Sequence, residues 1–289
     1  MYQSGWQKWA MTSLGCVFLM LNQVVNAEPS SSPSSVLRDI AYGGDPAQRF
    51  DVYLPPNPRN APVIFMVHGG AWKAGDKANA GIFTNKIAHW LPKGYIFIST
   101  NYRLFPNAPP QEQVKDVAKA LATAQQQASQ WGGDAKRFIL MGHSAGAHLI
   151  TLLAVSPQLA QQAGVQPYLG TVSLDSAALN VEQLMQSRQA RFFADVFGQD
   201  TQYWPSVSPY HQLKQAGKPL FMVCSIKRGF SCPPARSFVE KATSLGNKAT
   251  LLEENLNHAE VNQQLGLDND YTKQVDVFIQ GLLNNKPSP

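Results

Sequence analysis

The sequence predicts an α/β fold: one domain with a mostly parallel central sheet and helices packed on both of its faces. The continuous apolar run at 62–67 has the hydrophobicity of a strand buried on both sides, 95–100 is another apolar strand, and 137–141, 169–174 and 218–224 also read as strands. Segments with apolar residues at helical spacing lie between them, as in Val114, Val117, Leu121 and Ala124. That alternation supplies the helical crossovers that parallel neighbours need. A chain of 289 residues, 44% hydrophobic and 15% charged, is enough for one sizeable core.

The N-terminus reads as a signal peptide over residues 1–27. Lys8 gives a thin positive start, residues 10–25 are mostly apolar, and Val25-Asn26-Ala27 offers small residues for cleavage. The run is short for a membrane span, and no stop-transfer pattern follows. An uncleaved anchor helix is the competing reading. A lipoprotein site at Cys16 is disfavoured, since most of the apolar run lies after it. Residues 28–37 form a Ser/Pro linker, and the domain is expected over 38–289.

Within the domain, 49–55 alternates and reads as an early hairpin strand. The strand at 62–67 runs into His68-Gly69-Gly70-Ala71-Trp72. A helix at 81–91 precedes the strand at 95–100, which ends at Asn101-Tyr102-Arg103-Leu104. The long helix at 111–131 is closed by Gly132-Gly133-Asp134. A strand at 137–141 leads into a helix at 144–155, and the next strand is 169–174. Two short amphipathic pieces fill 181–198, and Trp204 to Pro209 reads as a loop. A strand at 218–224, a helix at 233–245, a last strand at 248–253 and a closing helix at 271–283 complete the chain. There is no internal repeat and no second domain.

The formal net charge of +5 is spread without a basic run, so no nucleic-acid footprint is present. After cleavage no membrane partner is expected. Cleavage would also remove Cys16 and leave Cys224 and Cys232, an even pair in an oxidising compartment. They read either as a short-loop disulfide or as two buried thiols.

The chemistry concentrates at Gly142-His143-Ser144-Ala145-Gly146, which fits the G-x-S-x-G nucleophile elbow, with an apolar strand before it and a helix after it. A serine hydroxyl needs a base to take its proton, a group to orient that base, and donors for the oxyanion. Of six histidines, His68 and His143 sit inside motifs whose backbone does the work. His89 and His148 lie on helical patterns and read as satisfied surface or core residues. His211 follows Pro209 and is second choice. His258 follows the last strand, late in the chain, where the order Ser…Asp/Glu…His places the base. Oxyanion donors are expected from Gly70, Ala71 and Ala145. Trp72, Tyr102 and Phe105 are candidates for the walls of the substrate pocket.

His-Gly-Gly-Ala-Trp at 68–72 and Gly-His-Ser-Ala-Gly-Ala-His at 142–148, with His258 near the end, resemble the α/β-hydrolase superfamily. Within it they look like the hormone-sensitive-lipase-like carboxylesterases and the bacterial feruloyl-esterase-like and arylformamidase-like proteins. The likeness covers nearly all of the chain after about Val52. It implies an α/β-hydrolase fold and a serine hydrolase without cofactor or metal. That enzyme would cleave small-molecule carboxylic esters or, less often, formamides.

The resemblance also implies an acid in the loop after the strand at 219–224. That loop, Ser225 to Cys232, holds no Asp or Glu. Asp175, at the end of the 169–174 strand, is preferred; Glu253 or Glu254 near His258 are alternatives, as is a site working without an acid. The function expected is an exported serine esterase acting on small or aromatic acyl esters. A formamidase and a non-catalytic hydrolase-like binding protein are the competing readings. An export signal argues against the first, and the missing acid motivates the second.

Overall fold

The computed structural model describes residues 1–2 and 35–284. The expected signal peptide, most of the linker and Cys16 lie outside the described residues. Eight strands form one sheet: β1 (Ser35–Ala41), β2 (Arg49–Leu54), β3 (Ala61–Val67), β4 (Ile96–Thr100), β5 (Gly133–His143), β6 (Gly170–Leu174), β7 (Leu220–Ser225) and β8 (Ala249–Glu254). Their spatial order is β1-β2-β4-β3-β5-β6-β7-β8. β2 runs antiparallel to both its neighbours, and every pair from β4 to β8 is parallel.

The helices are α1 (Ala80–Trp90), α2 (Pro110–Gln127), α3 (Ala145–Ala154), α4 (Pro157–Gln162), α5 (Val181–Met185), α6 (Ala194–Phe197), α7 (Tyr203–Ser206), α8 (Pro209–Gln212), α9 (Cys232–Ser244), α10 (His258–Gln263) and α11 (Asp270–Asn284). β3 explains why the central strands look continuously apolar. Val63, Phe65 and Val67 point into a core shared with Val114 and Val117 of α2 and Leu149 of α3. Ile64 and Met66 point the other way, into a core with Ile87 and Trp90 of α1 and Val275 and Ile279 of α11. Period-two alternation thus feeds two apolar layers, and both strand faces must be hydrophobic.

Four features depart from the sequence reading. β1 starts at Ser35, inside the expected linker. It is an edge strand with no buried residue, so no apolar pattern announces it. α4 and α10 were not expected. The 204–209 segment is mostly short helix, α7 and α8, rather than loop. Between 181 and 198 there are three pieces instead of two, α5, a 3₁₀ turn at Arg188–Phe192, and α6. Each missed helix has six residues or fewer, too short for helical periodicity to register.

Cys224 and Cys232 form a disulfide, which decides between the two readings left open. It joins β7 to the first residue of α9 and closes the intervening loop. The C-terminal ends of β3, β5, β6 and β7 come together at one edge of the sheet, the usual ligand edge of such a sheet.

Candidate active site

Ser144 stands between β5 and α3 with φ 56° and ψ −117°, a strained conformation for a residue with a side chain. The flanking glycines make the bend possible. A Cβ on Gly146 would lie 2.2 Å from the Val67 carbonyl oxygen, and one on Gly142 would lie 2.6 Å from the Gly146 carbonyl oxygen. The Ser144 N–H donates to Leu174 O of β6 at 2.9 Å, which ties the bend to the neighbouring strand.

His258 is the first residue of α10. Asn257 and Glu260 form a reciprocal capping box there, each side chain accepting from the other's backbone N–H. His258 Nε2 lies 2.9 Å from Ser144 Oγ, and Nδ1 lies 2.5 Å from Asp175 Oδ2. In the tautomer with a proton on Nδ1, the ring donates to the carboxylate and accepts from the serine hydroxyl. His143 Nε2 donates to the His258 carbonyl at 2.8 Å, with the two rings 4.5 Å apart. Burial, helped by the neighbouring His258, pushes the His143 ring down to about 3, so it stays neutral.

Asp175 follows β6 with φ 55°, and its side chain is fully buried. Its Oδ1 accepts from the Ser225 N–H at 2.9 Å and from the Ser231 hydroxyl. Its Oδ2 accepts from Arg228 Nη1 at 2.6 Å as well as from His258. Burial alone would raise the carboxyl. The hydrogen bonds from His258 and Ser231 and the charge and hydrogen bond of Arg228 outweigh it, and hold Asp175 well below the usual carboxylate range.

The loop after β3 passes directly over the serine: a Cβ on Gly69 would stand 2.9 Å from Ser144 Cβ. Gly70, Ala71 and Trp72 all have positive φ. The N–H groups of Gly70, Ala71 and Ala145 donate to no acceptor among the described residues. Free N–H groups beside a buried bend favour developing negative charge. A cavity of about 550 Å³ opens here, lined by Gly70, Ala71, Trp72, Ser144, Phe193 and Arg228 among others.

A model of the BD-FAE family matches residues 50–225. The chain belongs to the BD-FAE family. This BD-FAE chain is 30% identical over 223 residues to esterase LipC of Mycobacterium tuberculosis, an alignment covering 71% of the chain and 54% of LipC. It is 37% identical over 115 residues to isoprenylcysteine alpha-carbonyl methylesterase ICME of Arabidopsis thaliana, covering 39% of the chain and 26% of that protein. It therefore spans about half or less of the length of these relatives. Among solved structures, Thermogutta terrifontis esterase 2 superimposes with a TM-score of 0.71 at 19% identity, covering 90% of this chain and 98% of the other. The BD-FAE chain has the α/β-hydrolase fold.

Its predicted site residues divide cleanly. Ser144, His258 and Asp175 meet, and Gly70 and Ala71 line the same cavity. Glu253 instead pairs with Arg236 on the surface. His211 sits against Ser208 and Glu182, and His89 against Asp276. His148 is buried between Trp72 and the Val207 carbonyl.

Two pocket-wall assignments need correction. Tyr102 is buried behind the loop, stacked on His68 at 4.5 Å and donating to the His68 carbonyl at 3.0 Å. Phe105, partly buried, packs against the core. Both follow the end of β4, and the Tyr102 hydroxyl and the Phe105 N–H donate to the His68 and Trp72 carbonyls of the 68–72 loop. Phe193, Arg228 and Ser231 were missed. Arg228 was legible only as a charge in a loop that lacks an acid, and nothing local marked Ser231 as facing Asp175.

Proposed function

We propose that this protein is an exported serine esterase that cleaves carboxylic esters of small or aromatic acyl groups through an acyl-enzyme on Ser144. One observation carries the reading: an unbroken run of contacts from Ser144 Oγ through His258 to a buried, ionised Asp175. Free serine is a weak nucleophile, and this arrangement is what activates it.

In this mechanism the ester carbonyl enters the cavity with its oxygen toward the N–H groups of Gly70, Ala71 and Ala145. Ser144 Oγ attacks the carbonyl carbon while His258 Nε2 takes its proton. Asp175 holds the imidazole in the productive tautomer and stabilises the imidazolium. The tetrahedral intermediate collapses, and His258 returns the proton to the departing alcohol. Water then repeats the sequence on the acyl-enzyme and releases the acid. Trp72 and Phe193 supply apolar wall for the acyl or alcohol group.

Export draws support from the N-terminal apolar run and from the disulfide, which suits an oxidising compartment. A panel of p-nitrophenyl esters, with N-formylkynurenine alongside, tests the reading. Ester turnover should vanish in Ser144→Ala, and a fluorophosphonate should label Ser144. Preference for the formamide, or a folded protein that hydrolyses nothing, would count against it.

A further inference from the structure

We propose that Arg228 and Ser231 are positioning residues that press the Asp175 carboxylate onto His258, so that the loop after β7 supplies a grip for an acid in place of an acid of its own. The inference rests on the esterase reading above and adds to it which residues make Asp175 effective.

Four donors converge on Asp175, about the number that the lone pairs of an ionised carboxylate can accept. Three of them come from the end of β7 and the loop after it: the Ser225 N–H and the Ser231 hydroxyl on Oδ1, and Arg228 Nη1 on Oδ2. The fourth is His258. The loop is pinned at both ends by the Cys224–Cys232 disulfide. The Ser225 hydroxyl also donates to Leu256 O at 2.6 Å, which fixes the loop to the segment just before His258. The Arg228 guanidinium lies over the Phe230 ring at 4.7 Å, so its plane is set from the same loop.

Need for a grip follows from where the acid starts. Asp175 leaves β6 with φ 55°, and β7 separates that strand from β8, which leads to His258. Arg228 Nη1 also stands 2.6 Å from His258 Nδ1. With a proton on Nδ1, two donors crowd one carboxylate oxygen and each other, and the negative charge they share on Oδ2 is what offsets their repulsion. Arg228 is therefore matched to Asp175 in its ionised form, against the ring it must orient. A stabilising partner for a buried charge could sit anywhere around the carboxylate. This one sits on the oxygen that orients the base.

The test compares Arg228→Met, Arg228→Lys and Ser231→Ala, each alone and combined with Asp175→Asn, using p-nitrophenyl acetate. A displacement of the carboxylate by about 1 Å predicts a loss of roughly 100-fold in kcat for Arg228→Met; because Arg228 also lines the cavity, KM is read in Ser231→Ala, whose buried hydroxyl does not, and should stay within about twofold there. Arg228→Lys should recover part of that loss, and Ser231→Ala should lose less than Arg228→Met. In the Asp175→Asn background both should cost about twofold or less, because residues acting through one group are not additive.

Equal losses in the two backgrounds, or a raised KM with kcat unchanged, would overturn the inference. If Arg228→Met does not fold, Ser231→Ala, which deletes one hydroxyl, decides in the same way. A second readout does not depend on turnover: the low-field NMR signal of the His258 Nδ1 proton. It should be present in the wild type, weakened in both variants and kept in Arg228→Lys. Its absence from the wild type, or its persistence unchanged in Arg228→Met, would also overturn the inference. A wild type that hydrolyses no ester and escapes the fluorophosphonate while keeping this signal would sink the esterase reading but not the grip.

Discussion

Replacing Asp175 with asparagine tests which carboxylate serves His258. The substitution keeps size and shape but changes the chemistry at two atoms. An amide NH₂ at the Oδ2 position would face both His258 Nδ1 and Arg228 Nη1, where the carboxylate accepts from both. The ring would then favour the tautomer with its proton on Nε2, aimed at Ser144 and unable to accept. Loss of the tautomer and of imidazolium stabilisation should lower kcat by about 10⁴, or about 5.4 kcal/mol in the barrier. KM should change little, since Asp175 is buried and does not line the cavity. Steady-state hydrolysis of p-nitrophenyl acetate measures this, with circular dichroism to confirm folding. Glu253→Gln and Glu254→Gln are the controls and should stay within about twofold, since Glu253 is exposed and paired with Arg236, and the half-buried Glu254 has no side-chain contact with His258. Retention of more than about a tenth of the activity in Asp175→Asn, or a larger loss in either glutamine variant, would refute the reasoning.

Gly146→Ala should destabilise by about 1–3 kcal/mol, because its Cβ would meet the Val67 carbonyl at 2.2 Å; a thermal melt several degrees lower is the readout, and an unchanged melt contradicts the elbow geometry. Removing the disulfide as Cys224→Ser with Cys232→Ser should cost about 2–3 kcal/mol for so short a loop, and should lower kcat along with it, as denaturant titration and turnover together will show. Lys86 is buried, donates to Ile82 O, Asn262 O and Asn262 Oδ1, and is pushed down by burial to about 7. A lysine lowered on folding binds more protons unfolded, so its contribution to stability is smallest below about 7 and grows toward about 10. The stability difference between wild type and Lys86→Met should therefore be greater at pH 9 than at pH 6, and a flat difference in urea unfolding would exclude the shift.

The central fold could be read from the chain because β3 and β4 and the inner part of β5 are buried on both faces and advertise themselves as apolar runs, with β6 and β7 falling into the same alternation of strand and helix. β1 could not, since it contributes backbone hydrogen bonds at an edge and no buried side chain. Ser144 and the 68–72 loop are local motifs, legible because a tight bend imposes glycine at fixed offsets. His258 was reached through chain order. Asp175 was preferred only through what the family resemblance allows at that strand end, with Glu253 and Glu254 left open, since a carboxylate at a strand end has no local signature. Arg228 and Ser231 acquire meaning only when β6 and β7 lie side by side, which no spacing in the sequence expresses. Tyr102 was misplaced because an aromatic after a strand end can face the cavity or prop up the loop above it, and only the turn of the chain decides.

The contact between His143 and the His258 carbonyl has a mechanical consequence. The residue beside Ser144 holds the backbone of His258, although 114 positions separate Ser144 from His258. A sway of the strand end should therefore carry both partners together, and the gap between Ser144 Oγ and His258 Nε2 should change less than either wall. The two walls share one bracket, and the acid on the far side of the ring hangs from another.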